Sequence, residues 1–353
     1  MEEKVEIENE EAVQAENEAI LTETVKSGPF RLLKANPSSY FKRSWMLYLM
    51  LFLPMAFFIV FRYIPMTNIV IAFKNYNIFG GVWAPGNPEC DGLATGIHAT
   101  GCSHWVGISW FKEAFGRSDF WFALRNTLML NFLDLIVGFP APIILALILN
   151  ELVFKKFKKF TQTIIYLPHF LSWIIVSSIA TRLLAPTNGV VNIFLMENFG
   201  IGPIDFLMEK GKWVMTYILF GVWKEMGWGT IIYLAAITAI NPELYEAAEV
   251  DGAGRWRKLW HVTLPGIRAT IVVLLIMNIG RILGIELDRP YTMANRVVME
   301  VADVLSTLVY RVGIRSFQFS LTTAIGLFQS LVCVVFLVAA NSLAKKFGER
   351  GIW

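Results

Sequence analysis

Six stretches of this chain run for about twenty residues or more with few or no charged side chains. A helix needs ~20 apolar residues to cross a bilayer. Because 55% of the residues are hydrophobic, far above the norm for a soluble globular protein, we predict an all-α polytopic membrane protein. The predicted spans are 44–64, 120–150, 160–184, 213–240, 267–286 and 316–344.

Lysine and arginine residues cluster in alternate connections between these spans. Cytoplasmic connections of membrane proteins carry an excess of such residues. The clusters lie before the first span and after the second, fourth and sixth, and their members are Lys26, Arg31, Lys34, Lys42, Arg43, Lys155, Lys156, Lys158, Lys159, Arg255, Arg257, Lys258, Arg268, Lys345, Lys346 and Arg350. Six spans place all of these clusters on one side. We therefore predict a multi-pass protein of the cell (inner, cytoplasmic) membrane with both termini in the cytoplasm.

The last predicted external connection departs from this rule because it is rich in arginine. Its arginines are Arg289, Arg296, Arg311 and Arg315. Its acidic residues are Glu286, Asp288, Glu300 and Asp303. Since the acidic residues are close enough in sequence to offset the arginines, the predicted orientation holds.

Two tails flank the predicted transmembrane domain, which covers residues 41–344. The first 25 residues hold nine Glu and one Lys, and such a segment has too little apolar surface to order itself. Residues 1–40 are therefore predicted as an acidic, then basic, largely disordered cytoplasmic tail, and residues 345–353 as a second cytoplasmic tail. The chain has a net charge of +3 despite the acidic start. The basic excess elsewhere suits anionic lipid headgroups rather than nucleic acid.

The connection 241–266 after the fourth span predicts a short, well-capped helix. Asn241 is a good N-cap, and Pro242 at the first helical position loses no needed hydrogen bond. Gly252 can end this helix. A second helical segment is expected over residues 255–261, stopped by Leu264 and Pro265. A membrane protein with such a helix in a cytoplasmic connection is expected to present it to a partner.

The spacing in this connection is Glu246-Ala247-Ala248, three residues, Gly252, nine residues, Val262, one residue and Leu264-Pro265. It resembles the EAA loop of bacterial ABC-importer permeases, with Val262 in place of isoleucine. The resemblance implies a six-helix type I importer permease (MetI-like) fold. It also implies a coupling role for residues in this connection, namely Glu246, Ala247, Ala248, Asp251, Gly252, Leu264 and Pro265. The alternative is an ordinary amphipathic helix at the membrane surface.

Further segments carry the resemblance across most of the chain. They lie at 65–66, 71–77, 302–305, 309–313, 323–330 and 343–346. Together they are similar to permeases for oligosaccharide or polysaccharide uptake within the maltose-type carbohydrate importer group. The resemblance implies ATP-binding subunits, a second homologous permease and an extracytoplasmic solute-binding protein as partners. ATP would be used by the partner subunit, and no cofactor would be bound by this chain.

Ionisable and polar residues inside the predicted spans are candidates for a translocation path. A charged side chain at the centre of a bilayer costs ~2.5–3.5 kcal/mol on insertion scales, so it should face a cavity or a partner. Tryptophan rings offer flat apolar faces to sugar rings, although tryptophan is also common at membrane interfaces. The candidates are Asp134, Trp173, Lys224, Glu225, Asn278, Arg281 and Gln329. The alternative places the charged ones at the interface or in structural pairs.

Two cysteines and two histidines lie in the external stretch after the first span, namely Cys90, His98, Cys102 and His104. A disulfide between Cys90 and Cys102 is expected because the stretch faces an oxidising exterior. A zinc site is the weaker alternative, since the spacing lacks a Cys-x2-Cys pair. Two unpaired thiols are the third possibility.

Catalysis by this chain is not expected. It has no Gly-x-x-x-x-Gly-Lys-Ser/Thr motif for ATP, no His-Glu-x-x-His motif and no Gly-x-Ser-x-Gly motif. Two other classes stay open at this point. An ion-coupled secondary transporter would explain a buried charge such as Asp134, and a membrane-embedded enzyme is the other alternative.

Overall fold

The computed structural model of the chain describes residues 37–76, 78, 82, 103–349 and 351–353. Residues 1–36 of the predicted tail, as well as Cys90, His98 and Cys102, lie outside the described residues. The described part is helical, and it contains no β-strand beyond one isolated bridge between Lys74 and Trp105. The all-α expectation is therefore confirmed.

The helices are labelled in chain order, and their bounds are as follows. They are α1 (Pro37–Phe58), α2 (Ser109–Gly116), α3 (Ser118–Leu133), α4 (Pro140–Asn150), α5 (Lys155–Tyr166), α6 (Trp173–Leu183), α7 (Val190–Phe199), α8 (Lys210–Thr238), α9 (Pro242–Val250), α10 (Arg255–Lys258), α11 (Leu264–Ile279), α12 (Asp288–Met293), α13 (Met299–Ala302), α14 (Leu305–Val309) and α15 (Phe319–Lys346).

Within the described ranges, four helical segments are long and apolar enough to cross a membrane. They are Trp45–Phe73, Ser118–Asn150, Arg255–Ile279 and Phe319–Lys346. A fifth is possible if Lys155–Phe170 and Trp173–Leu183 form one broken span, since these two helices are bent by 103° at Leu171 and Ser172. The count of six spans stays a prediction.

Helix α8, predicted as the fourth span, is not among the apolar segments. Its 29 residues would measure about 43 Å at 1.5 Å per residue, which is long enough to cross a bilayer. It packs against α3, α4, α5, α11 and α13 and buries polar side chains such as Thr216, Lys224 and Thr230. These polar side chains can be buried because they are hydrogen-bonded, as Lys224 and Thr230 are, whereas apolar side chains of the same helix such as Met215 and Leu219 are exposed.

The first of two compact units ends at Asn68, and the second covers Ile69–Trp353. In the second unit, one apolar cluster surrounds the first half of α8, with Trp213 and Tyr217 fully buried. A separate cluster surrounds its second half, with Tyr233 and Ile237. A third cluster joins α2, α3 and α15 and includes Phe120 and Leu321. The middle of α8, between its two clusters, is where a cavity forms.

Wide turns precede three prolines in long helices. Residues 59–63, 134–138 and 259–263 form π-helical segments, in which each N–H bonds five residues back. They stand immediately before Ile64-Pro65, Phe139-Pro140 and Leu264-Pro265. Proline lacks an N–H, and its ring collides with the carbonyl four residues earlier. A widened turn relieves that collision, so the helix continues past the proline.

The expectation that Leu264 and Pro265 stop the second helical segment of the 241–266 connection is therefore wrong. The Leu264 N–H bonds to the Leu259 carbonyl in the π-helical turn, and the helix continues from Arg255 to Ile279 as one segment. Leu264 and Pro265 are thus the point where this connection enters a span.

Candidate functional site

The 241–266 loop forms the short capped helix that its sequence predicts. The Asn241 side chain accepts a hydrogen bond from the Glu243 N–H at 3.1 Å, and Pro242 is the first residue of α9. Gly252 has a φ of +72°, a left-handed conformation that glycine adopts without strain. Its N–H bonds to the Glu249 carbonyl at 2.9 Å and ends the helix. Both the predicted start and the predicted end are confirmed.

Few contacts hold α9 against the rest of the loop. Tyr245 Oη and Thr263 Oγ1 lie 3.1 Å apart, within hydrogen-bonding distance. Lys258 Nζ donates to Glu249 Oε1 at 2.6 Å, and this bond lowers the pKa of the Glu249 carboxyl. A lowered pKa in the folded state gives a stabilising effect that is lost only as pH falls through that value. The contact is therefore fully formed near neutral pH.

The outer surface of the loop is uncovered. Helix α9 has no buried residue, and Glu246, Ala247, Asp251 and Gly252 are exposed, with Ala248 half-buried. Large apolar side chains on the loop are exposed as well. They are Leu244, Val250, Trp256 and Trp260. Exposed apolar surface of this kind is typical of a protein-interaction site.

A cavity of about 420 Å³, which we name the central cavity, lies beside the middle of α8. It is bounded by α4, α8, α11 and the π-helical segment 134–138. Four of the path candidates line it, namely Asp134, Glu225, Asn278 and Arg281. Trp228 lines it too, as does Asn131, which was not among the site candidates.

An ion pair across the cavity wall joins two distant parts of the sequence. Arg289 Nη1 donates to Asp134 Oδ2 at 2.6 Å, and Nη2 donates to Asp134 Oδ1 at 3.2 Å and to the Tyr217 carbonyl at 2.7 Å. The Arg289 guanidinium also lies 3.8 Å from the centre of the Tyr217 ring. A Cβ at Gly221 would come within 2.1 Å of Arg289 Nη2. The glycine is therefore what leaves room for the guanidinium beside α8.

Sequence reasoning missed Arg289 because it lies in the predicted external connection, 155 residues from Asp134. The signal that could have found it is Gly221 in the middle of α8. A glycine inside a helix lowers helix stability by about 1 kcal/mol relative to alanine. Its presence at position 221 therefore suggests that another group packs closely against α8 there.

A second polar cluster stabilises the break between α5 and α6. Lys224 is buried and donates to the His169 carbonyl at 3.0 Å and to Glu225 Oε1 at 2.8 Å. The other Glu225 oxygen lies 2.9 Å from His169 Nδ1. The His169 ring stacks on Trp228, with centroids 4.7 Å apart. Lys224 thus connects α8 to the bend, and Glu225 extends the cluster to the cavity.

Two further candidates do not line the cavity and make contacts within the fold. Trp173 is buried, and its ring centre lies 5.2 Å from Lys224 Nζ and 5.2 Å from the Arg289 guanidinium carbon. Gln329 Nε2 donates to the Leu283 carbonyl at 2.6 Å. Asn278, although it lines the cavity, donates to the Leu274 carbonyl of its own helix at 2.8 Å.

Arg281 is the exposed cation of this cavity. Among the described residues, no carboxylate lies within 4.0 Å of its guanidinium. No group of three or more His, Cys, Asp or Glu side chains with metal-binding geometry occurs within the described ranges either. The cavity can therefore offer hydrogen bonds and one unpaired positive charge to a guest.

Comparison with known proteins gives a consistent result. The family model described as "Binding-protein-dependent transport system inner membrane component" matches residues 138–349. The polygalacturonan/rhamnogalacturonan transport system permease protein YteP of Bacillus subtilis (strain 168) is 45% identical over 307 residues, covering 87% of this chain and 90% of that protein. Protein LplB of the same organism is 43% identical over 312 residues, covering 88% and 92%.

A solved structure has a similar fold. It is a chain of a bacterial alginate ABC transporter in complex with an alginate pentasaccharide-bound periplasmic protein. The TM-score is 0.76 at 37% sequence identity, and the match covers 89% of this chain and 99% of that one. A second structure, of an ABC transporter that imports the acidic polysaccharide alginate, matches with a TM-score of 0.75.

Proposed function

This chain belongs to the family of binding-protein-dependent transport system inner membrane components, and on that premise we propose that it carries oligo- or polysaccharides for an ABC importer. It is a multi-pass inner-membrane permease subunit and not an enzyme. The saccharide cargo is supported by two relatives. YteP is named for polygalacturonan and rhamnogalacturonan, and the alginate transporter is named for an acidic polysaccharide.

The observation that carries the coupling mechanism is the uncovered helix α9. Its caps are formed within the chain, yet none of its residues is buried. The proposed occupant of this surface is an ATP-binding subunit, with Glu246 at the contact and Ala247 and Ala248 fitting a groove. In this arrangement the 241–266 loop is cytoplasmic, as are both termini.

Force applied to α9 has a direct route into the transmembrane domain. Helix α9 contacts Lys258 and Thr263 through Glu249 and Tyr245, and from Arg255 the helix continues through the π-helical turn 259–263 into α11 without a break. Helix α11 contributes Leu274 and Asn278 to the cavity wall. Closure of two ATP-binding subunits would therefore shift one wall of the cavity. Alternating access requires a two-state bundle whose equilibrium such a docked helix biases.

The central cavity is the proposed cargo path. Arg281 and Glu225 offer charged hydrogen bonds to hydroxyl or carboxylate groups, and Trp228 offers an apolar ring face. A second, homologous permease would complete the wall around the cavity. A solute-binding protein would deliver the cargo from the opposite side of the membrane.

The ion-coupled alternative rested on Asp134 as an isolated buried charge. Asp134 is instead paired with Arg289 at 2.6 Å, so it is not an isolated charge. The pairing removes the reason for that alternative.

Substitution of Gly252 by arginine tests the coupling role. Gly252→Arg places a bulky side chain with an unfavourable φ at the end of α9. We expect ATP hydrolysis by the assembled importer to persist while uptake of labelled oligosaccharide into proteoliposomes falls at least tenfold, a barrier change of about 1.4 kcal/mol.

Gly211→Arg is the matched control, because a Cβ at Gly211 meets nothing within 4 Å and the site lies at the opposite end of α8 from the loop. Its uptake should be normal. Normal uptake by Gly252→Arg, with the protein present in the membrane, would contradict the coupling role.

A further inference from the structure

Of the four arginines in the predicted external connection, two form ion pairs and two do not. Arg289 is bound to Asp134, and Arg311 is bound to Asp303 through two hydrogen bonds of 3.0 and 2.8 Å. Arg296 and Arg315 have no carboxylate within 4.0 Å among the residues that the structure describes. Of the four arginines, only Arg311 is therefore paired with one of the acidic residues of this connection, because the partner of Arg289 is Asp134 in the second predicted span.

Both unpaired arginines line one pocket, about 390 Å³ in volume, which we name the arginine pocket. Its wall includes Tyr291, Arg296, Tyr310, Arg311 and Arg315. It is separate from the central cavity, since the two share no lining residue.

The charge of the arginine pocket is positive. Among the described residues that line it, Asp303 is the one acidic residue. Both Asp303 oxygens are bound by Arg311, and Thr307 donates a further bond to Oδ1 at 2.7 Å. Because this carboxylate is already neutralised, the charges of Arg296 and Arg315 remain uncompensated within the pocket. Such an arrangement favours an anionic guest.

Aromatic groups position one of the unpaired arginines. Arg315 Nη2 donates to Tyr291 Oη at 3.0 Å, and its guanidinium lies 5.6 Å from the centre of the Tyr310 ring. The two tyrosine rings pack edge to face with centroids 5.3 Å apart. A guanidinium has five N–H donors, so Arg315 keeps most of its donors for a guest.

The chemistry of the guest follows from these groups. Guanidinium groups bind carboxylates with two parallel hydrogen bonds. Tyrosine rings pack against the apolar faces of sugar rings. A neutral saccharide would leave two positive charges without a partner, and a small inorganic anion would make no use of the tyrosines. A sugar acid satisfies both kinds of group.

We propose that the arginine pocket is a binding subsite for a carboxylate of an acidic oligosaccharide on its way to the central cavity. The proposal rests on the proposed function and deepens it by naming the cargo as a chain of sugar acids. It assigns Arg296 and Arg315 as the carboxylate-binding residues and Tyr291 and Tyr310 as the ring-binding residues.

The test uses the complete importer in nanodiscs without its solute-binding protein. The probes are trigalacturonate and its methyl ester, which has the same rings but no charge, and binding is followed by saturation-transfer NMR. The wild type should bind the acid in preference to the ester. The double variant Arg296→Gln, Arg315→Gln should weaken binding of the acid roughly three- to tenfold, as expected for two partly exposed ion pairs. The double variant should bind the ester with the same affinity as the wild type.

Arg182→Gln is the matched control. Arg182 is an exposed arginine in the last turn of α6 and does not line the arginine pocket. Its affinity for the acid should equal that of the wild type.

Three outcomes would overturn the proposal. They are equal weakening for acid and ester, no effect of the double variant, and no binding of the acid by the wild type. Association of the solute-binding protein is measured separately, by adding it to the same nanodiscs, and its loss in the double variant with oligosaccharide binding intact would assign the pocket to protein docking instead. ATP-driven uptake of both probes by the wild-type importer is measured in proteoliposomes with the solute-binding protein present. Its absence would contradict the proposed function, whereas uptake without charge preference would contradict only the subsite.

Discussion

Arg289 shows how one side chain can connect three parts of a membrane domain. It lies in α12, binds Asp134 of the π-helical segment 134–138 and lies against Tyr217 of α8. Its side chain is 13% exposed and that of Asp134 is 27% exposed. The pair is therefore largely shielded from solvent, where an unpaired charge is costly.

Removal of one partner of this ion pair should lower the free energy of unfolding more than removal of both partners. Arg289→Gln leaves the Asp134 carboxylate without its cation, and we expect the free energy of unfolding to fall by about 3 kcal/mol. The double variant Asp134→Asn, Arg289→Gln should recover part of that loss. Unfolding of the purified protein in detergent measures both.

Arg281→Gln is the matched control for this prediction, because Arg281 lines the same cavity without a carboxylate partner among the described residues. Its stability should stay within about 0.5 kcal/mol of the wild type. A double variant less stable than Arg289→Gln would show that the pair does not act as a unit.

Single-residue expectations succeeded where the cause is local. The Asn241 cap and the Gly252 turn follow from neighbouring residues, so the sequence was sufficient to predict them. The pairing of Asp134 with Arg289 and the burial of Trp173 depend on residues more than 100 positions apart. No periodicity in the chain contains that information.

Prolines have a more specific effect on the helices than the sequence suggested. Pro140 and Pro265 follow π-helical turns, and the helix continues through both. Pro168 instead lies in the 3-10 turn that precedes the 103° bend between α5 and α6. The bend also contains Ser172, whose side chain caps α6. The presence of a cap after the proline explains why a new helix begins there instead of the old one continuing.

Close approach of two helices is visible at Gly227 in α8. A Cβ at this position would lie 2.1 Å from the Ile165 carbonyl oxygen of α5. That neighbour is backbone, so the two helices would have to move apart. Gly227→Ala should lower the free energy of unfolding by about 1–3 kcal/mol, although alanine is the better helix former.

Gly211→Ala tests whether the effect comes from packing, because it makes the same change in the first turn of α8, where nothing lies within 4 Å. It should be neutral or stabilising. Equal destabilisation by the two alanine variants, measured by thermal unfolding in detergent, would contradict the close-packing account.

On the scale of the whole molecule, the apolar runs were enough to predict an all-α membrane protein. They predicted α8 as a long helix, but not the partners of the polar side chains that it buries, since Lys224 bonds to the His169 carbonyl 55 residues away. They could not locate the central cavity, whose wall includes Gly221 and Gly229 of α8, between two apolar clusters. The structure was also needed to show which external arginines form ion pairs, since proximity in sequence to acidic residues did not identify their partners.

The most direct test of the whole account measures what drives uptake. The chain is reconstituted in proteoliposomes with its partner permease and solute-binding protein, and uptake of a labelled galacturonate oligosaccharide is followed. We predict uptake only when ATP-hydrolysing subunits and ATP are present, and its loss when Gly252→Arg replaces the wild type. Uptake driven by a proton or sodium gradient without those subunits would contradict the account.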